Sequence, residues 1–501
     1  MPSSSANPFT DGFDTLAQET IKKWKVPGIA FNVIHDDEEF SKAYCLADIE
    51  NNKPVDVDET LYNVGSTTKA QLCAAWAIYI NSEANTSKAK KDRISWRSPL
   101  AQIIPADFTL PDPIQTQQVT LEDLLCHKSG MASHDLAYGF EGVRTPRDVT
   151  RNLRNLALKS PMRSEWSYCN IGYGVATHAL EVVTGKSLTE YLRERWWEPL
   201  GMTSSFGGVG EVEEMGEQGS FELSKPQDIT PVSGAGYIVS TASDYTKWLR
   251  CLLAGSPPLS QHIVEGLFTP RIPVPWKAPF TTPFEGSHVQ YALGWFVGFL
   301  YGYKVLYHTG GSIGYGCIVM LVPEFRWAAV MMGNEFNTGL RVQSLVFELF
   351  EISLGLTKDE RRAFRTTDEA VGERERMRFP EREAKIKALF PGGPFRASIP
   401  QVLPLAAYAG TYFNAGYGLL TITVSDGEDF LRCEIADRTW PLSIKIQHIN
   451  AEHWLFEQTN GERQMWKAES RISVNGTVEW FGIALDGTSA DHLVWFERLK
   501  T

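Results

Sequence analysis

From Leu72 to Ile80 the chain reads Leu-Cys-Ala-Ala-Trp-Ala-Ile-Tyr-Ile without one charged side chain. A helix written this way has no polar face to turn to water, so the domain around it must close over it on all sides. Neither this run nor any other reaches the roughly 18 apolar residues of a membrane span, which leaves burial within protein. Directly before it stands Val64-Gly65-Ser66-Thr67-Thr68-Lys69. A serine three residues ahead of a lysine shares its helix face, one turn away. The helix N-terminus adds free N–H groups and partial positive charge beside the Ser66 oxygen. A nucleophile and a base therefore stand at the mouth of a helix that must be buried.

The same spacing recurs at Ser87 and Lys90, and chance supplies about one or two such pairs in a chain this long. Thr86, Lys88 and Lys91 surround that copy, and no apolar helix is there to dry it. It reads as a solvated loop.

Around the Ser66 helix the chain has a clear grammar. Residues 12–25 form an amphipathic helix, and 29–34 and 40–46 form two strands joined by an acidic turn. Thr120 caps a helix with Asp123 at its third position. Helices follow at 146–157, at 171–200 with a break at Gly185, and at 240–253; residues 203–232, rich in Gly, Glu and Ser, read as a long surface loop. From Gly294 short strands separated by Gly or Pro turns form an antiparallel meander, followed by a helix at 340–354. The meander and the N-terminal hairpin make one sheet of five or six strands, and block 65–255 is a helical insertion between its halves. Residues 357–389 are densely charged and read as solvated helix or linker. About eight strands after residue 400 indicate an up-and-down barrel. The fold class is α+β, an antiparallel sheet flanked by helices with an inserted helical subdomain, plus a C-terminal antiparallel β-barrel. The expected divisions are 1–355, a charged linker 356–398, and 399–501.

At 501 residues with a net charge of −12, the chain has no basic footprint for nucleic acid or anionic membranes. Its seven cysteines are scattered, odd in number and without metal-ligand spacing, and no leader-like segment opens the sequence. Reduced thiols, a cytoplasmic location, no metal and no cofactor are expected.

Two further motifs follow the Ser66 element in order: Tyr168-Cys169-Asn170 before a helix, and His308-Thr309-Gly310-Gly311 at a strand end. Singly each is weak. Tyr-x-Asn recurs at Tyr412-Phe-Asn414, which belongs to a barrel strand and turn, and a serine at a helix start is ordinarily an N-cap. The ordered triple is far more specific. With Thr120-Leu-Glu-Asp-Leu-Leu-Cys-His-Lys-Ser-Gly130 and Ala235-Gly-Tyr-Ile-Val-Ser-Thr-Ala-Ser-Asp244, it resembles the serine β-lactamase-like superfamily, in its class C lactamase, D-aminopeptidase and esterase branch, over residues 12–355. The tail resembles the lipocalin-like domain appended to some of those hydrolases.

The resemblance implies a small-molecule acyl substrate as the partner, and roles for the motif residues. Ser66 would form an acyl-enzyme, Lys69 would take its proton, and Tyr168 would relay protons to the leaving group and from water. Asn170 would hold Lys69 and the substrate, the N–H groups of Ser66 and Gly311 would form the oxyanion hole, and His308, Thr309 and Gly310 would line the substrate strand. Lactamases usually carry lysine where His308 stands, and a histidine is shorter and only partly charged near neutral pH, so recognition of a fixed carboxylate should weaken. That shifts the expectation from β-lactams to esters or amides. Transfer of the acyl group to an alcohol or amine is a second reading, and a non-turnover acyl-binding sensor a third. His127, His134 and His178 read as structural. Trp295, Tyr237 and Tyr315 fit an acyl pocket or the core.

Overall fold

The computed structural model describes residues 6–216, 228–275, 284, 289–335, 338–378, 382–391, 399–425, 427, 429–460, 464–485 and 492–500. In chain order the first strands are β1 (Gly28–His35), β2 (Glu38–Asp48), β3 (Lys53–Pro54), β4 (Tyr62–Asn63), β5 (Phe206–Gly207) and β6 (Ile238–Ser240). They are followed by β7 (Ile272–Pro273), β8 (Gln290–Tyr291), β9 (Phe296–Leu300), β10 (Tyr303–Ser312), β11 (Tyr315–Val322) and β12 (Trp327–Gly333). Nine of these form one sheet in the order β3-β2-β1-β12-β11-β10-β9-β8-β7, while β4, β6 and β5 form a second, small one. The sheet is closed across the insertion by β1 and β12, antiparallel from Ile29 opposite Gly333 to His35 opposite Trp327. Its six long strands are those that the sequence pattern shows. The other three, β3, β7 and β8, are two residues each, too short for any periodicity to reveal.

Both faces of the sheet are covered, which is why β11 and β12 are buried at every residue and read as unbroken apolar runs. Alternation along β11 divides its side chains between two cores. Cys317, Val319 and Leu321 face the inserted helices. Ile318, Met320 and Val322 face the helices Asp11–Trp24 and Ser344–Ser353. Within the insertion, the helix Thr68–Asn81 is buried from Thr68 to Ala77. Two of its buried side chains are paired from outside: Gln71 Oε1 accepts the indole N–H groups of Trp196 and Trp197 at 3.1 and 2.9 Å, and Trp76 donates to the Ala176 carbonyl at 3.0 Å. Thr120 and Asp123 form the reciprocal capping box of the helix Leu121–Leu125.

Two segments depart from expectation. Block 203–232 is not wholly a loop, because Phe206 and Gly207 pair with β6, and the helix Val209–Gly216 follows; Phe206, Val212 and Val239 share a small apolar cluster. Residues 217–227 of that block lie outside the described residues. The charged segment 357–389 forms helices, one of the two readings it allowed, at Ala363–Arg378 and Arg382–Leu389, and departs only in being partly buried. Ala363, Thr367 and Val371, spaced four apart, are buried, and Ile386 packs on Leu455 and Met465 of the barrel. Its charges thus cover only part of its surface.

The barrel runs β13 (Gly410–Asn414), β14 (Gly418–Val424), β15 (Leu431–Ile435), β16 (Leu442–Asn450), β17 (His453–Gln458), β18 (Met465–Ile472), β19 (Val478–Ile483) and β20 (Val494–Arg498), and closes by pairing β20 with β13. Its interior, with Ile446, Trp454 and Phe481, is continuous with the core around the Ser66 helix. All seven cysteines are unpaired, and among the described residues no helix is long and apolar enough to cross a membrane.

Candidate active site

Ser66 sits in a 3-10 turn, Gly65–Thr67, that runs into the helix Thr68–Asn81. The turn lies backbone to backbone on β10. A Cβ on Gly310 would stand 1.9 Å from the Val64 carbonyl oxygen, and one on Gly65, whose φ is +52°, would stand 2.5 Å from the Gly311 nitrogen. Only glycine allows this approach, which sets the Gly311 amide beside the residue preceding Ser66. The turn is pinned further by the Gly65 N–H donating to Asn63 Oδ1 at 2.9 Å and by Thr67 Oγ1 donating to the Val64 carbonyl at 3.0 Å.

Lys69 Nζ has three oxygen neighbours: Ser66 Oγ at 3.0 Å, Asn170 Oδ1 at 2.9 Å and the Ala235 carbonyl at 2.7 Å. The latter two oxygens only accept. A neutral amine has two N–H groups for them and one lone pair for the Ser66 hydroxyl, so the geometry suits the deprotonated form. Burial lowers this lysine to about 7, against a smaller opposing pull from Asp135. The Tyr168 ring centre lies 4.8 Å from Lys69 Nζ; burial pushes its phenol well up, with Ser66 beside it pulling the other way. Asn170 opens the helix Asn170–Thr184.

The amide of Asn170 is oriented by a residue absent from any motif. Asn170 Nδ2 donates to Asp135 Oδ1 at 3.0 Å, and the Tyr138 hydroxyl donates to the same oxygen at 3.1 Å. Asp135 lies in an irregular segment well outside the three motifs, and only the fold brings it in.

His308 differs from expectation. It is 1% exposed, with Nδ1 donating to the Thr309 carbonyl at 2.6 Å and Nε2 accepting from the Tyr291 hydroxyl at 3.1 Å. Burial, with Lys69 nearby, lowers it to about 3. It is a neutral ring packed behind the cleft among Tyr168, Tyr291 and Phe296, not a partly charged group presented to a substrate. Thr309 is also buried, and Gly310 faces the Ser66 turn, whereas Gly311 is exposed at the strand end.

His127, His134 and His178 are held by hydrogen bonds, an ion pair and ring contacts. His127 Nδ1 accepts the Cys169 N–H at 3.1 Å and its ring lies 4.4 Å from that of Tyr168; His178 pairs with Asp107, and His134 Nδ1 meets the Tyr417 hydroxyl at 2.7 Å. Trp295 is fully buried against Phe268 and Tyr315 against Tyr62. Half-buried Tyr237 lines a cavity of about 350 Å³ with Asn63, Glu213, Asp228 and Thr230, on the flank of the Ser66 turn. Ser87 and Lys90 are exposed. Tyr412 is in the barrel core, and Asn414 Oδ1 caps the turn after β13.

Residues 13–347 match the Beta-lactamase family model, and residues 396–498 match a domain of unknown function, DUF3471. An unguisins hydrolase of Aspergillus campestris is 29% identical over 511 residues, covering 99% of this chain and 93% of that protein. One from Aspergillus violaceofuscus is 28% identical over 535 residues, covering 99% and 92%. The octameric penicillin-binding protein homologue of Pyrococcus abyssi shares the fold over 97% of this chain and all of that one, with a TM-score of 0.59 and 19% identity. The D-amino acid amidase of Ochrobactrum anthropi shares it over 69% of this chain and 99% of that one, with a TM-score of 0.55 and 18% identity.

Proposed function

The chain belongs to the beta-lactamase family, and on that premise we propose that it is a serine acyl hydrolase that cleaves an ester or amide through an acyl-Ser66 intermediate. The observation that carries this reading is Lys69, held against Ser66 Oγ at 3.0 Å and lowered to about 7 by burial. Ser66 Oγ adds to the substrate carbonyl carbon as its proton passes to Lys69 Nζ. The resulting oxyanion is received by the backbone N–H groups of Ser66 and Gly311. Collapse breaks the C–N or C–O bond while Tyr168, beside Ser66, passes a proton to the leaving group. Water then adds to the acyl carbon by the reverse relay, giving the free acid and regenerating Ser66.

The neutral, buried His308 supports a substrate without a carboxylate at that end of the site, because it offers no cation to pair with one. Similarity over the full length to two unguisins hydrolases makes unguisins the first natural substrates to assay. The test is intact-mass spectrometry after a fluorophosphonate and after p-nitrophenyl esters. Wild type is expected to gain one acyl or phosphonyl adduct and Ser66→Ala none; equal labelling and turnover by the two proteins would remove Ser66 from the mechanism. Added alcohols or amines should leave the free acid as the main product. A predominant ester or amide product would make the protein a transferase.

A further inference from the structure

We propose that the C-terminal barrel is a working part of this active site: the β15–β16 turn, through Trp440 and Tyr138, holds the Asp135 carboxylate that fixes the Asn170 amide against Lys69. The proposal rests on the hydrolase reading above.

The links are directional. The Trp440 indole N–H, which only donates, meets the Tyr138 hydroxyl at 3.2 Å; that hydroxyl donates to Asp135 Oδ1 at 3.1 Å; Asn170 Nδ2 donates to the same oxygen at 3.0 Å. Asn170 Oδ1 is thereby left facing Lys69 Nζ at 2.9 Å. A flipped amide would set N–H against N–H at Lys69 and oxygen against carboxylate at Asp135. Asp135 is thus a positioning residue that selects one amide orientation of two.

The turn is seated tightly enough to act this way. Arg438, almost fully buried, donates to the carbonyl of Leu136, the residue after Asp135, at 2.9 Å and to that of Tyr417 at 3.1 Å. Thr439 Oγ1 donates to the carbonyl of Asp228, which lines the cavity beside the Ser66 turn, at 2.9 Å. Gly139, at φ +90°, lies so close that a Cβ would stand 2.2 Å from the Thr439 nitrogen. The barrel therefore grips the segment on both sides of Tyr138 and also bonds the Asp228 carbonyl.

Asp135 also acts through charge. The titratable groups around Lys69 are Asp135, Cys73, Cys169, Tyr168, Tyr173, His127 and His308. Burial holds the thiols and phenols protonated and the imidazoles neutral near pH 7. Burial raises the Asp135 carboxyl, against the Asn170 and Tyr138 donors and the Lys69 charge, which favour its ionised form; as a carboxylate it favours the protonated lysine.

The experiment uses the full chain and a p-nitrophenyl ester, with kcat/KM followed from pH 5 to 9 in wild type, Asp135→Asn, Trp440→Phe, Tyr138→Phe and the double variant Asp135→Asn/Trp440→Phe. Asp135→Asn should lose about tenfold in kcat/KM on the plateau, the scale of a hydrogen bond to a charged group. Its acid limb should also move to lower pH by about half a unit or more, because the anion that favours the charged lysine is gone. Trp440→Phe should lose about threefold or more in kcat with the melting temperature unchanged, and should lose nothing further in the Asp135→Asn background. An unmoved acid limb in Asp135→Asn, or the same penalty for Trp440→Phe with and without Asp135, would overturn the relay. Should Trp440→Phe fold poorly, Tyr138→Phe keeps its ring, removes the middle link and gives the same comparison. Fluorophosphonate labelling of wild-type Ser66 separates the two claims: no labelling sinks the hydrolase reading, whereas normal labelling with unmoved variants sinks the relay alone.

Discussion

Buried with two obligate acceptors and one hydroxyl around it, Lys69 gives up its proton at about 7 rather than near 10.5. Between those values the unfolded chain holds a proton that the folded chain has released, so stability rises with pH across the window. Near pH 7 this burial costs about 4 to 5 kcal/mol, more than the roughly 1 kcal/mol that each of its two hydrogen bonds to carbonyl oxygens returns. Lys69→Met is therefore expected to abolish turnover yet raise the melting temperature at pH 7, with the gain shrinking toward pH 10. A melting temperature equal to or below that of wild type at pH 7 would show that the lysine is not held neutral. The same desolvation sets the rate profile: kcat/KM should climb through a pKa near 7 and level off above it. His308 works at the other end of the scale. Lowered to about 3 in the fold, it lets the unfolded chain bind a proton first, so its contribution erodes stability as the pH falls below about 6.5.

At the level of elements, the contact between the Ser66 turn and β10 depends on two glycines. Gly310→Ala should lose both activity and about 1 to 3 kcal/mol of stability, since its Cβ would overlap the Val64 carbonyl oxygen. Gly266→Ala, in the helix Gln261–Phe268 with nothing within 4 Å of the new carbon, should be neutral or stabilising and leave kinetics untouched. Urea melts with ester kinetics on both variants check the pair. These elements also mark how far the chain can be read without its structure. The Ser66 helix, the capping box at Thr120, the long sheet strands and the eight barrel strands all announce themselves through local periodicity or turn chemistry. So do Ser66, Lys69, Tyr168 and Asn170, because each lies in a short ordered motif. Asp135, Tyr138 and Trp440 leave no such trace: the contact between Tyr138 and Trp440 spans 302 residues, and no local pattern encodes it. The burial of His308 was equally hidden, since its exposure is decided by Tyr168, Tyr291 and Phe296 from other elements.

For the molecule as a whole, the continuous core joining the Ser66 helix to Trp454 and Phe481 predicts one cooperative unfolding unit rather than two. Calorimetry should show a single transition, and Phe481→Ala, deep in the barrel, should lower the temperature at which Ser66 labelling is lost by the same amount as it lowers the barrel's own transition. Two resolved peaks would mean the halves unfold separately. The pairing of β1 with β12 has a consequence in time. β1 leaves the ribosome early, but the strand that completes its hydrogen bonding is made only after the entire insertion, on the order of 15 to 60 s later at 5 to 20 residues per second. Throughout that interval the nascent chain carries Phe31 and Val33 on a strand with an open edge, followed by an apolar helix that has no sheet to lie on. Heterologous yield should therefore respond to translation speed and chaperone supply more strongly than the stability of the finished protein would indicate.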